Sequence, residues 1–348
     1  MKTALFYGIG DIRIEEINMH EIQRNEILIK VKACAICGTD IRIFKFGHFK
    51  IPGGCKRVLG HEIAGEIVKV GTEVEGYEVG MRVAAAPNIG CGTCPVCIQG
   101  FNQLCPDYEA FGISLDGGFQ EYMIVPSHAI KAGNVIPIPD NISFGEAVLA
   151  EPLSCCYNSY KALRTEPGDT VLVVGAGPIG ALHIMLNKLA GASKIIAADI
   201  SRERLQLMKS FGADVLINSG DVNLVNEVMR ETGGIGANVI ITACSVPDLQ
   251  KQALEMAAAH GRINFFGGLP KGKEEVCLNT NLIHYKELTA LGTTGSSILH
   301  FHKALEIISS GSIDVKPLIS ATFGMEDTLK AFEYAASGRG MKVLVVNE

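Results

Sequence analysis

No stretch of this 348-residue chain concentrates lysine or arginine, and its formal charge is −6. Holding a nucleic-acid backbone needs a dense basic patch, so a nucleic-acid partner is not expected. Long apolar runs are missing as well. The longest, Val171 to Leu186, is broken by GAGPIG and His183. It falls short of the roughly 20 residues that cross a bilayer, so it reads as buried strand and helix with no membrane partner. The N-terminus, MKTALFYGIGDIRIEE, has one lysine and no apolar core of signal-peptide length, which leaves no targeting segment and suggests a cytoplasmic protein. Internal repeats, low-complexity tracts and linker tracts are also absent. What remains is small-molecule chemistry in a globular chain whose length and 47% hydrophobic content suffice for two cores. Its eleven cysteines are odd in number and unevenly spaced, which suits metal ligands and core thiols in a reducing cytosol better than a secreted disulfide framework.

From Met1 to about Val125, short apolar segments alternate with glycine and acidic turns. Thr3 to Tyr7, Glu26 to Ala33, Glu62 to Val70, Arg82 to Ala85 and Gln120 to Val125 read as strands of a β-rich, partly closed barrel. After Pro152 the pattern changes to strand alternating with helix. Thr170 to Val174, Val215 to Asn218, Asn238 to Thr242, Arg262 to Phe266 and Leu288 to Leu291 imply a doubly wound parallel sheet. Two helical stretches, Ile298 to Ser309 and Met325 to Ala336, and a strand at Lys342 to Val346 then return to the first domain. The expected class is α/β, with residues 1–151 and 292–348 forming one domain and 152–291 the other.

The second domain opens on TVLVVGAGPIG. A β-branched strand runs into Gly175-Ala176-Gly177-Pro178-Ile179-Gly180, and a helix follows at once. Gly175 would make the tight turn, Gly177 would let a pyrophosphate approach the backbone, and Gly180 would let helix and strand pack closely. The phosphates would sit on the helix N-terminus. Asp199 ends the next strand, about 20 residues on, where an acid accepts from a ribose 2′-hydroxyl and repels a 2′-phosphate. The expected cofactor is therefore NAD rather than NADP. The plainer alternative is a glycine turn in some other α/β sheet.

Two sets of metal-ligand types lie outside that domain. Cys91, Cys94, Cys97 and Cys105 share one glycine- and proline-rich loop, and four thiolates so spaced can close a tetrahedral shell around a structural Zn²⁺. Disulfides or free core thiols are the alternatives, which the cytosolic composition disfavours. The second set is dispersed: Cys37 in CGTD, His61 and Glu62 in GHE, and Glu151 in EPLS. Each alone reads as an ordinary core or surface residue. Together they offer sulfur, nitrogen and oxygen donors with room for water or substrate, as a catalytic zinc needs, and spacing does not choose between the two.

The ordered combination CGTD, GHE, CGTCPVC with a later cysteine, EPLS and VLVVGAGPIG resembles the zinc-dependent medium-chain dehydrogenases over essentially the whole chain, and within them the sorbitol (polyol) dehydrogenase branch. That resemblance implies a GroES-like catalytic domain, a Rossmann domain with a cleft between them, two zinc ions per chain, NAD, and a homodimer or homotetramer. It implies Cys37, His61 and Glu62 as catalytic zinc ligands, with Glu151 holding or exchanging with the zinc-bound water. Asp199 and Arg204 match adenosine-ribose contacts, and Pro178 and Ile179 the pyrophosphate turn. The activity implied is reversible oxidation of a secondary alcohol, a polyol or sugar alcohol, with a proton leaving through Thr39 or Glu151. L-threonine 3-dehydrogenase or butanediol dehydrogenase activity is the near alternative, and a non-catalytic module holding zinc and NAD the distant one. Two departures stand out. Many relatives carry histidine where Arg42 stands, and arginine cannot relay a proton as imidazole can. Many also carry histidine in the segment that reads Cys155-Cys156-Tyr157-Asn158 here.

Overall fold

The computed structural model describes residues 1–19 and 21–347. The chain divides into two compact units, Met1–Ser154 with Gly295–Glu348, and Cys155–Thr294. Both divisions fall three residues beyond the breaks at 151 and 291, the first because the helix Ala150–Leu163 runs through it without a linker.

The first unit is built on a seven-stranded sheet in the order Val135–Pro137, Arg82–Ala85, Glu62–Val70, Ile27–Ala35, Lys342–Val346 and Ile319–Gly324, with Tyr122–Val125 also pairing with Ile27–Ala35. Period-two alternation in ILIKVKACA sends Ile27, Ile29 and Val31 into a core shared with Ile63, Val83, Phe119 and Phe332. Each such side chain contributes about 1.5–3 kcal/mol on full burial. Two pairings position chemistry: Ala35, the last residue of its strand, lies opposite Glu62, the first of its own, on one side and opposite Leu344, in the middle of Lys342–Val346, on the other. Smaller sheets join Asp11–Glu16, Lys2–Gly8 and Arg57–Val58, and Asn88–Ile89 with Glu109–Ala110.

Strand alternation alone did not foresee the helices Gly38–Phe46 and Ala150–Leu163, nor the strand Ile319–Gly324, whose alternately exposed residues give it no apolar run. The stretch from Met325 to Ala336 is a short 3-10 turn, Met325–Asp327, followed by the helix Thr328–Ala336.

In the second unit six parallel strands lie in the order Val215–Asn218, Lys194–Asp199, Thr170–Val174, Ala237–Thr242, Ala257–Asn264 and Thr289–Leu291. Thr170–Val174 is where the winding reverses, and ligands of such sheets bind beyond the carboxyl ends of the strands at that point. Val171, Leu172 and Val173 are fully buried, which explains the unbroken apolar run. No helix among the described residues is long and apolar enough to cross a membrane.

His183, in the helix that follows the glycine turn, is fully buried edge-on to Phe266, and neither ring nitrogen has a hydrogen-bond partner among the described residues. Burial pushes its pKa down to about 3, so it stays neutral in the folded chain. The unfolded chain, with an ordinary imidazole near 6.5, binds the proton first, so stability is lost as pH falls below about 6.5. Between pH 7 and pH 5 the wild type should lose about 2 kcal/mol more than His183→Leu. Urea unfolding at the two pH values measures this, and equal losses would remove His183 from the account.

Candidate metal and dinucleotide sites

Cys37 is the N-cap of the helix Gly38–Phe46. Three residues on, Asp40 is fully buried, and its carboxylate ties two separate segments together. Oδ2 accepts from the Cys37 backbone N–H at 2.9 Å, Oδ1 accepts from the Gly60 N–H at 3.1 Å, and His61 Nδ1 stands 3.4 Å from Oδ1. A carboxylate on the far nitrogen of a ligating histidine fixes its ring and raises its basicity. Burial opposes a charge on His61, but attraction to Asp40 and Cys37 outweighs it and holds the imidazole pKa well above its ordinary value.

Glu62, also fully buried, heads its strand. Its Oε1 accepts from Lys342 Nζ, which reaches it from the head of the strand Lys342–Val346, while Oε2 is buried with no hydrogen-bond partner among the described residues. Burial pushes the Glu62 pKa up to about 7 against the pull of Lys342, and repulsion from Glu151 adds to the rise. One donor atom each from Cys37, His61 and Glu62 lie within 4.8 Å of one another. Glu151 stands outside that set, near enough to act on Glu62 by charge, in the first turn of the helix Ala150–Leu163. A buried carboxylate oxygen beside a thiol and an imidazole is what a cation would complete, and one sulfur, one nitrogen and one oxygen donor fit zinc, which takes three protein ligands in catalytic sites. Thr39 is half-buried on the same helix as Cys37, and Arg42, one turn on, is exposed.

The other four thiols also converge. The Sγ atoms of Cys91, Cys94, Cys97 and Cys105 lie within 4.8 Å of one another, and all four are free rather than disulfide-bonded. Cys94 caps the short helix Pro95–Ile98, and the 3-10 turn Asn102–Leu104 carries the chain to Cys105. Backbone N–H groups of Thr93 and Cys94 aimed at its sulfur bring the Cys91 pKa down to about 6, favouring the thiolate a metal needs.

In the second unit each motif glycine has its geometric reason. Gly175 has φ +114°, and a Cβ there would meet the Ala243 carbonyl oxygen at 2.8 Å. At Gly180 a Cβ would meet the Gly175 carbonyl oxygen at 1.9 Å, so helix and strand could not close on any other residue. Around Gly177 no atom of the described residues other than its chain neighbours lies within 4 Å of an added Cβ, which leaves open space at the N-cap of the helix Pro178–Leu189, where Pro178 takes the first turn and Ile179 follows. Asp199 ends its strand with both oxygens engaged: Oδ2 accepts from the Ala176 N–H at 2.7 Å and Oδ1 from the Ser201 N–H at 2.8 Å. The carboxylate is thereby fixed against the glycine turn. Arg204 lies in the first turn of the helix Arg202–Ser210, its N–H donating to the Ser201 hydroxyl at 3.3 Å.

Two site residues escaped the sequence reading. Asp40 was visible only as the last letter of CGTD, although its place three residues after an N-cap marks it as an acceptor for the cap's own N–H. Lys342 heads KVLVV, and a lysine opening a buried strand is a cue for a buried counter-charge.

The family model of the alcohol dehydrogenase GroES-like domain matches residues 23–140, and that of the zinc-binding dehydrogenases matches residues 178–310. L-threonine 3-dehydrogenase of Pyrococcus furiosus is 35% identical over 99% of this chain and 97% of its own length, and sorbitol dehydrogenase of Bacillus subtilis is 32% identical over 99% and 97%. Among solved structures, a zinc-binding dehydrogenase of Sinorhizobium meliloti 1021 bound to NADP superposes with a TM-score of 0.90 at 30% identity, covering 99% of each chain. The chain belongs to the zinc-dependent medium-chain dehydrogenases, and so is an oxidoreductase of alcohols with a GroES-like unit and a Rossmann unit.

Proposed function

We propose that this protein catalyses reversible, NAD-linked oxidation of a secondary alcohol bearing a neighbouring hydroxyl, a polyol or sugar alcohol, to the ketone. The observation that carries this reading is the convergent donor set of Cys37, His61 and Glu62, with Glu62 Oε2 buried and unpartnered among the described residues. A zinc ion held there supplies Lewis-acid polarisation of the alcohol oxygen. The chain's own groups do the rest. Asp40 orients His61, Lys342 balances the Glu62 charge, and Thr39 or Glu151 would take the hydroxyl proton towards water, with a bound nicotinamide as the hydride acceptor. Arg42, always protonated and exposed, holds cofactor or water in place instead of relaying that proton. Cys91, Cys94, Cys97 and Cys105 hold a second, structural zinc that pins a loop with little core of its own. Gly175, Gly177, Pro178, Ile179 and Gly180 receive the pyrophosphate, and Asp199 and Arg204 the adenosine ribose.

A polyol suits this site because a vicinal hydroxyl can also approach a shell with a carboxylate in it. Threonine, whose hydroxyl neighbours an amine, is the second reading, favoured by the identity to the Pyrococcus enzyme. NADH formation by the zinc-loaded protein on a panel of polyols, polyol phosphates, threonine and 2,3-butanediol tests both, and no turnover on any of them would leave the non-catalytic alternative. Eleven free cysteines fit a cytoplasmic home, and sedimentation of the purified protein decides between homodimer and homotetramer.

NAD should be used in preference to NADP, in contrast to the ligand of the Sinorhizobium structure. Asp199 is fixed by two N–H groups, cannot turn away from a 2′-phosphate and would lose its hydroxyl partner, a penalty of about 2–4 kcal/mol, or roughly 30- to 1000-fold in kcat/KM. Asp199→Ala should narrow the gap mainly by weakening NAD. Equal kcat/KM for the two cofactors in the wild type would overturn the assignment.

A further inference from the structure

The four-cysteine loop is joined to the helix that carries Glu151 by a continuous chain of hydrogen bonds inside the first unit. Asn102, between Cys97 and Cys105, donates through Nδ2 to the Asn88 carbonyl at 2.7 Å and accepts at Oδ1 from the Ile298 N–H at 3.1 Å. Asn88 in turn donates to the Ser296 carbonyl at 3.2 Å. Both asparagines therefore grip one short turn, Ser296 to Ile298, from the side of the cysteine loop. On its other side the Ser296 hydroxyl lies 2.6 Å from that of Ser154, which also lies 2.6 Å from the Glu151 carbonyl. The carbonyl can only accept, so Ser154 donates its one proton to it and accepts from the Ser296 hydroxyl. Ser154 is wholly buried and Ser296 is 3% exposed, so neither can exchange its partner for water. Losing the Ser296 hydroxyl takes the donor from the buried Ser154 oxygen and cuts this link between the turn and the helix, so the first turn of the helix is free to shift.

We propose that Asn102, Ser296 and Ser154 are positioning residues through which the cysteine loop sets the place of Glu151 beside Glu62. The cysteine loop then does more than keep its own fold: a metal that orders it fixes Asn102, and the chain delivers that order to the acid whose charge Glu62 feels. This rests on the reading of Glu151 as a group at the catalytic metal.

The test uses the full chain loaded with zinc at the four cysteines and Co²⁺ at the Cys37 site, so that the visible Co²⁺ bands report on that site without any alcohol. Ser296→Ala should shift those bands, lower kcat about tenfold with KM for NAD unchanged, and move the acid limb of the kcat–pH profile. Ser296→Thr, which keeps the hydroxyl, should restore all three. Asn102→Ala, at a half-buried position, should shift the bands in the same direction, and the double variant should be no worse than the worse single one because both break one chain. Should Ser296→Ala fail to fold, Asn102→Ala carries the same prediction. Bands and pH profile unchanged in a folded variant, or effects that simply add, would overturn the proposal. Absence of turnover on every alcohol would count against the proposed reaction instead, and the Co²⁺ bands would still decide the coupling.

Discussion

Cys37→Ser is expected to lower turnover by about a thousandfold or more, because Lewis-acid polarisation supplies several kcal/mol of the rate enhancement and a serine hydroxyl is no zinc ligand at neutral pH. The same substitution should leave the fold almost untouched. Cys37 caps the helix Gly38–Phe46, and serine is a better N-cap than cysteine, so the local structure loses nothing when sulfur becomes oxygen. The N–H that Asp40 accepts is also kept. Zinc content should fall from about two ions per chain to one, as expected of one closed and one open site. The affinity for NADH, read from its fluorescence, should not change, since the glycine turn and Asp199 belong to the other unit. Cys94→Ser should take the other zinc and act mainly on thermal stability. A Cys37→Ser protein that keeps both zinc ions and a tenth of its activity would remove Cys37 from the catalytic donor set.

The parts of the site that were legible in the sequence are those whose physics is local. The glycine turn lies within six residues, and its strand and helix flank it directly, so backbone sterics alone specify the pattern. The four thiols sit in one loop for the same reason. The dispersed donors could be grouped only through family resemblance, because strand pairing brings them together: Glu62 meets Lys342 across 280 residues. No period in the sequence encodes such a contact. The helix Gly38–Phe46 was hidden by IRIF, where alternation resembles a strand, and what starts the helix is the Cys37 N–H bonded to Asp40. The strand Ile319–Gly324 has the opposite problem. It lies at the sheet's edge with every second residue exposed, so its composition carries little apolar signal, and its partner Lys342–Val346 places it.

Lys342→Met should show how the buried charge at Glu62 is balanced. Glu62 has no exposure and Lys342 only 3%, so removing the cation strands a carboxylate in a dry core, a change that costs about 3–5 kcal/mol when one partner of a buried pair is lost. The cost depends on pH, and its sign follows from Glu62. With Lys342 present, burial still holds the Glu62 pKa up at about 7, above the ordinary glutamate value of about 4.3. An acid whose pKa rises on folding binds protons more tightly in the native state. Metal-free wild type should therefore be most stable on this account below about pH 4.3 and lose stability as pH rises towards 7, levelling off above it. Without Lys342 the pKa climbs further, so the decline continues beyond pH 7. The variant should then be several kcal/mol less stable than wild type at pH 8 and close to it at pH 5, where Glu62 is protonated in both and a neutral methionine suits a neutral acid. Zinc supplies the missing positive charge, so the zinc-loaded variant should lose less at pH 8 than the chelator-treated one, and its zinc affinity should rise more steeply with pH because binding must expel the Glu62 proton. Urea midpoints at pH 5 and pH 8, with and without chelator, measure all three differences. An equal loss at both pH values, indifferent to zinc, would mean that Lys342 acts through packing of its stem and leaves the charge of Glu62 to be balanced elsewhere.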